Sequence, residues 1–297
     1  MVQSGKAAPK HSLSAGMAAI TSRDNRWLKR FRSALGGERE DDGMVGVEGL
    51  RMVEAALGSG LRIEALLVSE SGERQMERLA PLLGGAQILR TSDRLFAGVA
   101  DTQAPQGIAA LVQTRQATVE DLLRGCALVA VLVGVQDPGN VGTILRAAEA
   151  FGATGAATCS ADALGTADPL GPKALRASAG SALRLPVVHG LPASALLPKL
   201  RAAGVKLYAA AKEASEQAPR SGSPSLRPWE ADWKSPVALL IGNEGAGLPE
   251  DIMRAADARV SIPQAAATTP IGIESLNAAM AASVLLYEAM RQRKARR

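Results

Sequence analysis

Residues 128–135 (LVAVLVGV) constrain the fold of this chain more than any other segment, because the run contains no polar position. A β-branched and apolar stretch without alternation suits a central parallel strand covered on both faces. The same reading predicts further strands at 155–159, 185–188, 205–210, 237–241 and 259–262. Helical patterns at 141–151 and 191–203, and an apolar helix at 274–291, separate or follow them. Strands alternating with helices give an α/β unit with a largely parallel sheet. The Ser-, Pro- and Gly-rich stretch 213–234 reads as a surface loop.

The first half reads as a second, smaller α/β unit. Helical spacing of Trp27, Leu28, Phe31 and Leu35 predicts a helix over 20–35, with arginines and lysines on its other face. A second helix is expected within 45–57, strands at 63–68, 87–89 and 107–112, and a helix at 73–83. The boundaries expected are a leader at 1–17, one domain at 18–113, a linker at 114–124 and a second domain at 125–297.

Composition excludes several chemistries. His11 and His189 are the only histidines, and neither has a cysteine or carboxylate cluster nearby, so a zinc site or a Ser-His-Asp triad is not expected. Cys126 and Cys159 are too few for a disulfide framework, and each sits in an apolar stretch that predicts a buried thiol. No apolar run is long enough to span a bilayer, and the basic leader lacks the core of a secretory signal, so a cytoplasmic protein is expected. The net charge of +5 is compatible with a polyanion. Basic residues gather at Arg23, Arg26, Lys29, Arg30 and Arg32, and again at Arg291, Arg293, Lys294, Arg296 and Arg297. Each cluster reads equally as a nucleic-acid contact or as a solvated face. With aromatic residues at 3%, contacts to phosphate and RNA shape are expected to outweigh base stacking.

Ligands of open α/β sheets bind beyond the carboxyl ends of the strands, and three motifs fall there. The first, 136–146 (QDPGNVGTILR), follows the central strand; Pro138 and Gly139 make a turn, Asn140 is expected to cap a helix, and Arg146 is a lone cation on a largely apolar helix. A dinucleotide-type turn is the competing reading, but its G-x-G-x-x-G fingerprint is absent. The second, 240–248 (LIGNEGAGL), runs a strand into a glycine-rich turn carrying Glu244, which taken alone also suits a tight turn with a solvated acid. The third joins Ile262-Pro263, through Thr268, Thr269 and Pro270, to Glu274-Ser275-Leu276-Asn277; Ser275 alone reads as an N-cap or first-turn residue.

In order and spacing these motifs resemble the signature of the SpoU/TrmH family of RNA 2′-O-ribose methyltransferases, within the SPOUT superfamily. The carrying segments are DPGNVGTILRAAEAFGA, LLIGNEGAGL and IP…ESLN, leading into AAMAASVLLYEAMR. Residues 47–55 and 105–110 of the first half resemble that family's RNA-binding domain, which is akin to a ribosomal protein. The stretch 264–273 is longer than the usual link, and the pair Ala278-Ala279 is smaller than common.

The resemblance implies a deep trefoil knot in the second domain and a homodimer whose paired knots complete the active sites. It implies S-adenosylmethionine bent against Ile241, Gly242, Ile262 and Leu276, with Gly242 leaving room for it. No metal or membrane is implied. The reaction would be methylation of a ribose 2′-hydroxyl in structured RNA, ribosomal RNA being favoured over transfer RNA. Arg146, reaching across the dimer, would activate the hydroxyl, and Asn140, Glu244, Ser275 and Asn277 would position it, the ribose or the cofactor. A guanidinium holds its proton tightly, so either the site or the substrate phosphate helps take the Arg146 proton, or Arg146 orients and stabilises while water or phosphate accepts the hydroxyl proton. An RNA-binding protein without catalysis and a nicotinamide dehydrogenase are the alternatives.

Overall fold

The computed structural model describes residues 18–39, 43–161, 165–212, 223–265 and 275–295. The leader with His11, the residues 266–274 that include Thr268, Thr269, Pro270 and Glu274, residues 213–222 of the expected 213–234 loop, and Arg296 and Arg297 lie outside them. Among the described residues no helix is long and apolar enough to cross a membrane.

Two sheets organise the chain. The first unit runs β1 (Ala18–Ile20), α1 (Arg26–Leu35), β2 (Met44–Glu48), α2 (Leu50–Gly58), β3 (Arg62–Ser69), α3 (Glu73–Leu79), β4 (Gln87–Thr91), α4 (Asp93–Ala97) and β5 (Ile108–Gln113). Its strand order is β1-β4-β3-β5-β2, with β5 antiparallel to both neighbours. The short helix α5 (Val119–Leu122) follows, held by a reciprocal capping box between Thr118 and Asp121.

The second unit runs β6 (Leu128–Val133), α6 (Pro138–Ala150), β7 (Gly155–Ser160), α7 (Pro172–Ser178), α8 (Ser181–Arg184), β8 (Val187–Pro192), α9 (Ala193–Ala202), β9 (Lys206–Ala211) and β10 (Ser225–Leu226). It ends with β11 (Val237–Ile241), α10 (Glu250–Ala255), β12 (Ala258–Ser261) and α11 (Ala278–Lys294). All its strand pairings are parallel, in the order β10-β12-β9-β11-β6-β7-β8.

β6 shows why its sequence lacks alternation. Leu128, Ala130 and Leu132 enter one core, shared with α6, α7 and α11. Val129, Val131 and Val133 enter another, under α9 and α10. Both faces are covered, so each side chain contributes its burial, roughly 1.5–3 kcal/mol for a fully buried aliphatic. The first of these cores continues without a break into the small unit through α2, β3 and β5. Beyond the small sheet, α1 and α4 close a third core around Phe31 and Phe96.

Several expectations are corrected. Ile20 belongs to β1, and α1 begins only at Arg26, because Asn25 accepts from the Trp27 N–H and caps it. The region 45–57 contains a strand as well as a helix: Gly46 of β2 lies so close to Ala34 and Leu35 that a Cβ would sit 2.6 Å from their backbone. The stretch 73–83 stays α-helical only to Leu79; a turn of 3₁₀ helix containing Pro81 follows. Cys126 is exposed, while Cys159 is buried and burial pushes its thiol up to about 12. Part of the expected loop is core, since Trp233 is fully buried, donates to the Pro228 carbonyl at 2.8 Å and meets Tyr208 edge-on.

The basic clusters do more than coat the surface. Arg26 and Arg30 lie over the Trp27 ring, and Arg30 also pairs with Glu64. Arg291 pairs with Glu288, and Arg293 donates to the carbonyls of Trp233, Cys126, Ala127 and Ser235 at 2.7–2.9 Å.

Candidate active site

β6, β11 and β12 are parallel, so the turns that leave them gather at one edge. After β6, Asp137 rather than Asn140 caps α6, accepting from the Gly139 N–H at 3.1 Å, with Pro138 in the first helical position. Lys173 of α7 donates to the same carboxylate at 2.6 Å. That side chain, then the Gly139 N–H, holds Asp137 below the usual carboxylate range.

The turn after β11 is closed by Asn243, which the sequence motifs had not singled out. Its Nδ2 donates to the Gly134 carbonyl at 2.9 Å, and its Oδ1 accepts from the N–H groups of Gly245 and Ala246. Its backbone exchanges two hydrogen bonds with Gly247, which adopts φ +74°. A Cβ on Gly242 would lie 2.3 Å from the Gly247 carbonyl carbon and 2.4 Å from the Leu248 nitrogen. The nearer constraint on Gly242 is therefore its own loop, not the room a cofactor needs.

Glu244 projects from this turn across to β6. Its carboxylate accepts from the N–H groups of Gln136 at 3.2 Å and Asp137 at 3.1 Å, and from Asn140 Nδ2 at 2.9 Å. Desolvation is the largest single influence on Glu244 and acts upward, but the donors together outweigh it and the carboxyl sits low. Asn277 Nδ2 donates to Asn140 Oδ1 at 3.1 Å. Asn277 Oδ1 accepts from the N–H groups of Ala279 and Met280, which makes it the N-cap of α11. The sequence had offered Ser275 for that position.

The direction of both amides follows from chemistry. An ionised carboxylate only accepts, so Asn140 must turn its NH₂ toward Glu244. Its oxygen then faces Asn277, which must also present NH₂, leaving the Asn277 oxygen for the helix N–H groups. One chain of hydrogen bonds thus ties the β11 turn, the start of α6 and the start of α11.

Ser275 and Arg146 stand outside that chain. Ser275 lines the neighbouring cleft without bonding to a described residue. Arg146 is exposed on α6, and its side chain makes no hydrogen bond or ion pair with any described residue.

Beside the hydrogen-bond chain lies a cleft of about 420 Å³, a size suited to a small organic ligand. Ile241, Gly242, Ile262 and Leu276 all line it, with Leu285 behind and the 242–248 backbone along one side. An apolar wall facing exposed peptide groups fits a ligand with a flat apolar part and polar edges.

Comparison with known proteins gives a consistent pattern. Residues 127–287 match the model of the SpoU rRNA Methylase family, and residues 32–110 match that of the MRM3-like substrate binding domain. The chain is 32% identical over 273 residues to the 23S rRNA (guanosine(2553)-2′-O)-methyltransferase RlmP of Bacillus subtilis, covering 91% of this chain and 98% of that protein. It is 31% identical over 284 residues to the 23S rRNA (uridine(2479)-2′-O)-methyltransferase of Streptomyces viridochromogenes, covering 92% of each. The structure resembles an AdoMet-bound rRNA methyltransferase from Sinorhizobium meliloti, with TM-score 0.76, 30% identity, and coverage of 94% of this chain and 99% of that one.

Proposed function

Because this chain belongs to the SpoU rRNA methylase family, we propose that it transfers a methyl group from S-adenosylmethionine to a ribose 2′-hydroxyl of ribosomal RNA. The observation that carries this reading is the juxtaposition of the cleft with the Glu244–Asn140–Asn277 chain at one sheet edge. When bound, S-adenosylmethionine would supply an electrophilic methyl group: the ribose O–C bond would form as the sulfonium C–S bond breaks, S-adenosylhomocysteine would leave, and the hydroxyl proton would pass to substrate phosphate or water. Ile241, Ile262 and Leu276 would cover its apolar surface, and the Gly242–Leu248 backbone would meet its polar edge. Glu244, Asn140 and Asn277 hold the two helix starts in register, so a ribose delivered there meets a wall that does not reorganise. Ser275, with its hydroxyl not engaged by any described residue, is left to meet ligand.

Arg146 would orient the ribose from a second copy of the chain. In support, Met280, Val284 and Tyr287 are 60%, 43% and 50% exposed and share one face of α11. That helix packs on α6, and Tyr287 meets Phe151 edge-on at 5.7 Å. Covering this apolar face with another copy brings the unbonded Arg146 to the interface. Val284→Arg is therefore expected to yield monomers in sedimentation, with transfer activity lost.

The same reading assigns 18–113 to RNA binding, 114–124 to a linker and 125–297 to the transferase. An rRNA substrate puts the work in the cytoplasm. It also includes the deep trefoil knot: β12 lies beyond β9, yet α11 returns to pack on α6 and β11, and Ser275 and Leu276 re-enter the cleft that Ile262 lines.

The test is to incubate the chain with unmodified 23S rRNA transcript and methyl-labelled S-adenosylmethionine, then digest to nucleosides. Label in a 2′-O-methylnucleoside is expected. Label on a base, or RNA binding without transfer, would contradict the proposal.

A further inference from the structure

A second cleft, of about 530 Å³, opens at the same sheet edge, at the ends of β7 and β8. One of its lining segments is tied by hydrogen bonds to β6 and to the residues that follow it. Thr166 donates from its hydroxyl to the carbonyls of Leu132 at 3.1 Å and Cys159 at 2.7 Å, and the Ala167 N–H donates to Val135 at 2.8 Å. Leu132 belongs to β6, and Val135 immediately precedes the Gln136–Asn140 turn.

Three features show that this cleft is more than a gap between units. Thr158 and Ser160 stand two apart on β7, so both hydroxyls face the same side. They line the cleft and make no hydrogen bond to any described residue, although Thr158 is only 4% exposed. Both hydroxyls therefore stand at the cleft wall with donor and acceptor capacity to offer a ligand.

The β7–β8 register also shifts here. Thr158 pairs with His189, but Cys159 pairs with Leu191, so Gly190 is the extra residue of a bulge, at φ +80°. A Cβ on Gly190 would meet nothing within 4 Å, so the glycine serves the bend rather than a tight fit. Bulges re-aim neighbouring side chains, and His189 is exposed and lines the cleft.

Charge identifies the ligand class. Arg39 is ion-paired with Asp168 at the cleft, so its charge is balanced and an anion gains little there. Partial desolvation at the cleft wall, and then Arg39, lower the His189 imidazole below its ordinary range against the opposing pull of Asp168, and the lowering favours the neutral ring. A neutral imidazole offers a flat face for stacking, and the hydroxyls offer donors and acceptors for a base edge.

We propose that the β7–β8 cleft receives an unstacked RNA base flanking the target ribose, its face on His189 and its edge toward Thr158 and Ser160. This rests on the methyltransferase reading above. His189 is then a binding residue for RNA, remote from the methyl group.

The experiment uses a synthetic 23S rRNA fragment containing the nucleotide mapped as methylated, with an abasic residue placed at each flanking position in turn. Parent, His189→Ala and His189→Phe are compared. His189→Ala should raise KM for the intact fragment about tenfold, a typical loss for one stacked base. Its kcat and its S-adenosylmethionine affinity should stay put, and His189→Phe should restore most of the KM. One abasic position should raise the parent KM similarly and add nothing in His189→Ala. Equal abasic penalties in parent and His189→Ala, no penalty at any position, or weakened S-adenosylmethionine binding by His189→Ala would overturn this inference alone. Absence of methyl transfer by the parent would overturn the methyltransferase reading and this inference with it.

Discussion

The two edges of the seven-stranded sheet use polar residues in opposite ways. At the amino edge Arg293 points inward, half-buried, with four of its five N–H groups donating to the carbonyls of Trp233, Cys126, Ala127 and Ser235. Asp232 is held well below the usual carboxylate range by the Ser235 hydroxyl and Lys206. Those bonds close the chain on itself. At the carboxyl edge the Glu244–Asn140–Asn277 chain fixes the walls, while Ser275 and the 242–248 turn line an open cleft and Arg146, more than two turns along α6, faces open space. An edge whose donors and acceptors are all matched internally stabilises the fold; one that leaves several unmatched beside a cleft is arranged for a ligand.

Substitutions at the two edges should therefore separate activity from stability. The largest effect is expected for Arg146→Ala. On the role proposed for it toward the ribose, its removal should lower single-turnover methyl transfer by about 10³-fold. The melting temperature and S-adenosylmethionine affinity should match the parent, because Arg146 bonds to no described residue. A melting temperature several degrees lower would put Arg146 in the fold rather than in the reaction.

Arg293→Met should do the reverse. Leaving partly buried carbonyls without a donor costs about 1–3 kcal/mol, read as a melting temperature several degrees lower in calorimetry, with kcat unchanged. A kcat loss without destabilisation would erase the contrast between the edges.

A smaller effect belongs to Glu244→Gln, which places an amide where only an acceptor fits the Gln136 and Asp137 N–H groups. Transfer should fall roughly tenfold, in line with loss of one positioning hydrogen bond. The pH dependence has a definite sign. The Glu244 carboxyl is lowered in the fold, so its stabilisation is complete above the unfolded carboxyl range and is lost as pH falls through the lower folded value. Urea midpoints of parent and variant should therefore converge on acidification from about pH 6 to pH 3. A gap that widened would reverse the assigned shift.

What the sequence could convey depended on how local each cause is. β6 was legible because burial on both faces erases alternation within the strand itself. The Asn140, Glu244 and Asn277 positions were legible as motif residues, but their bonding to one another spans more than a hundred residues and was not. Asn243 sat in plain view between Gly242 and Glu244, and its role emerged only with the Gly134 carbonyl beside it. The cap of α6 was misread although Asp137 precedes a proline, a pairing that marks a helix start. β2 and Trp233 were missed for tertiary reasons: one is set by the approach of α1, the other by a core pocket under a loop-like composition.

Amide hydrogen exchange, with and without saturating S-adenosylmethionine, tests the contrast most directly. The account predicts slower exchange confined to 241–248, 262–265 and 275–281, with the amides around 126–127 and 233–236 unchanged. Protection at the amino edge, in the β7–β8 cleft, or nowhere would contradict the assignment of the carboxyl-edge cleft to the methyl donor.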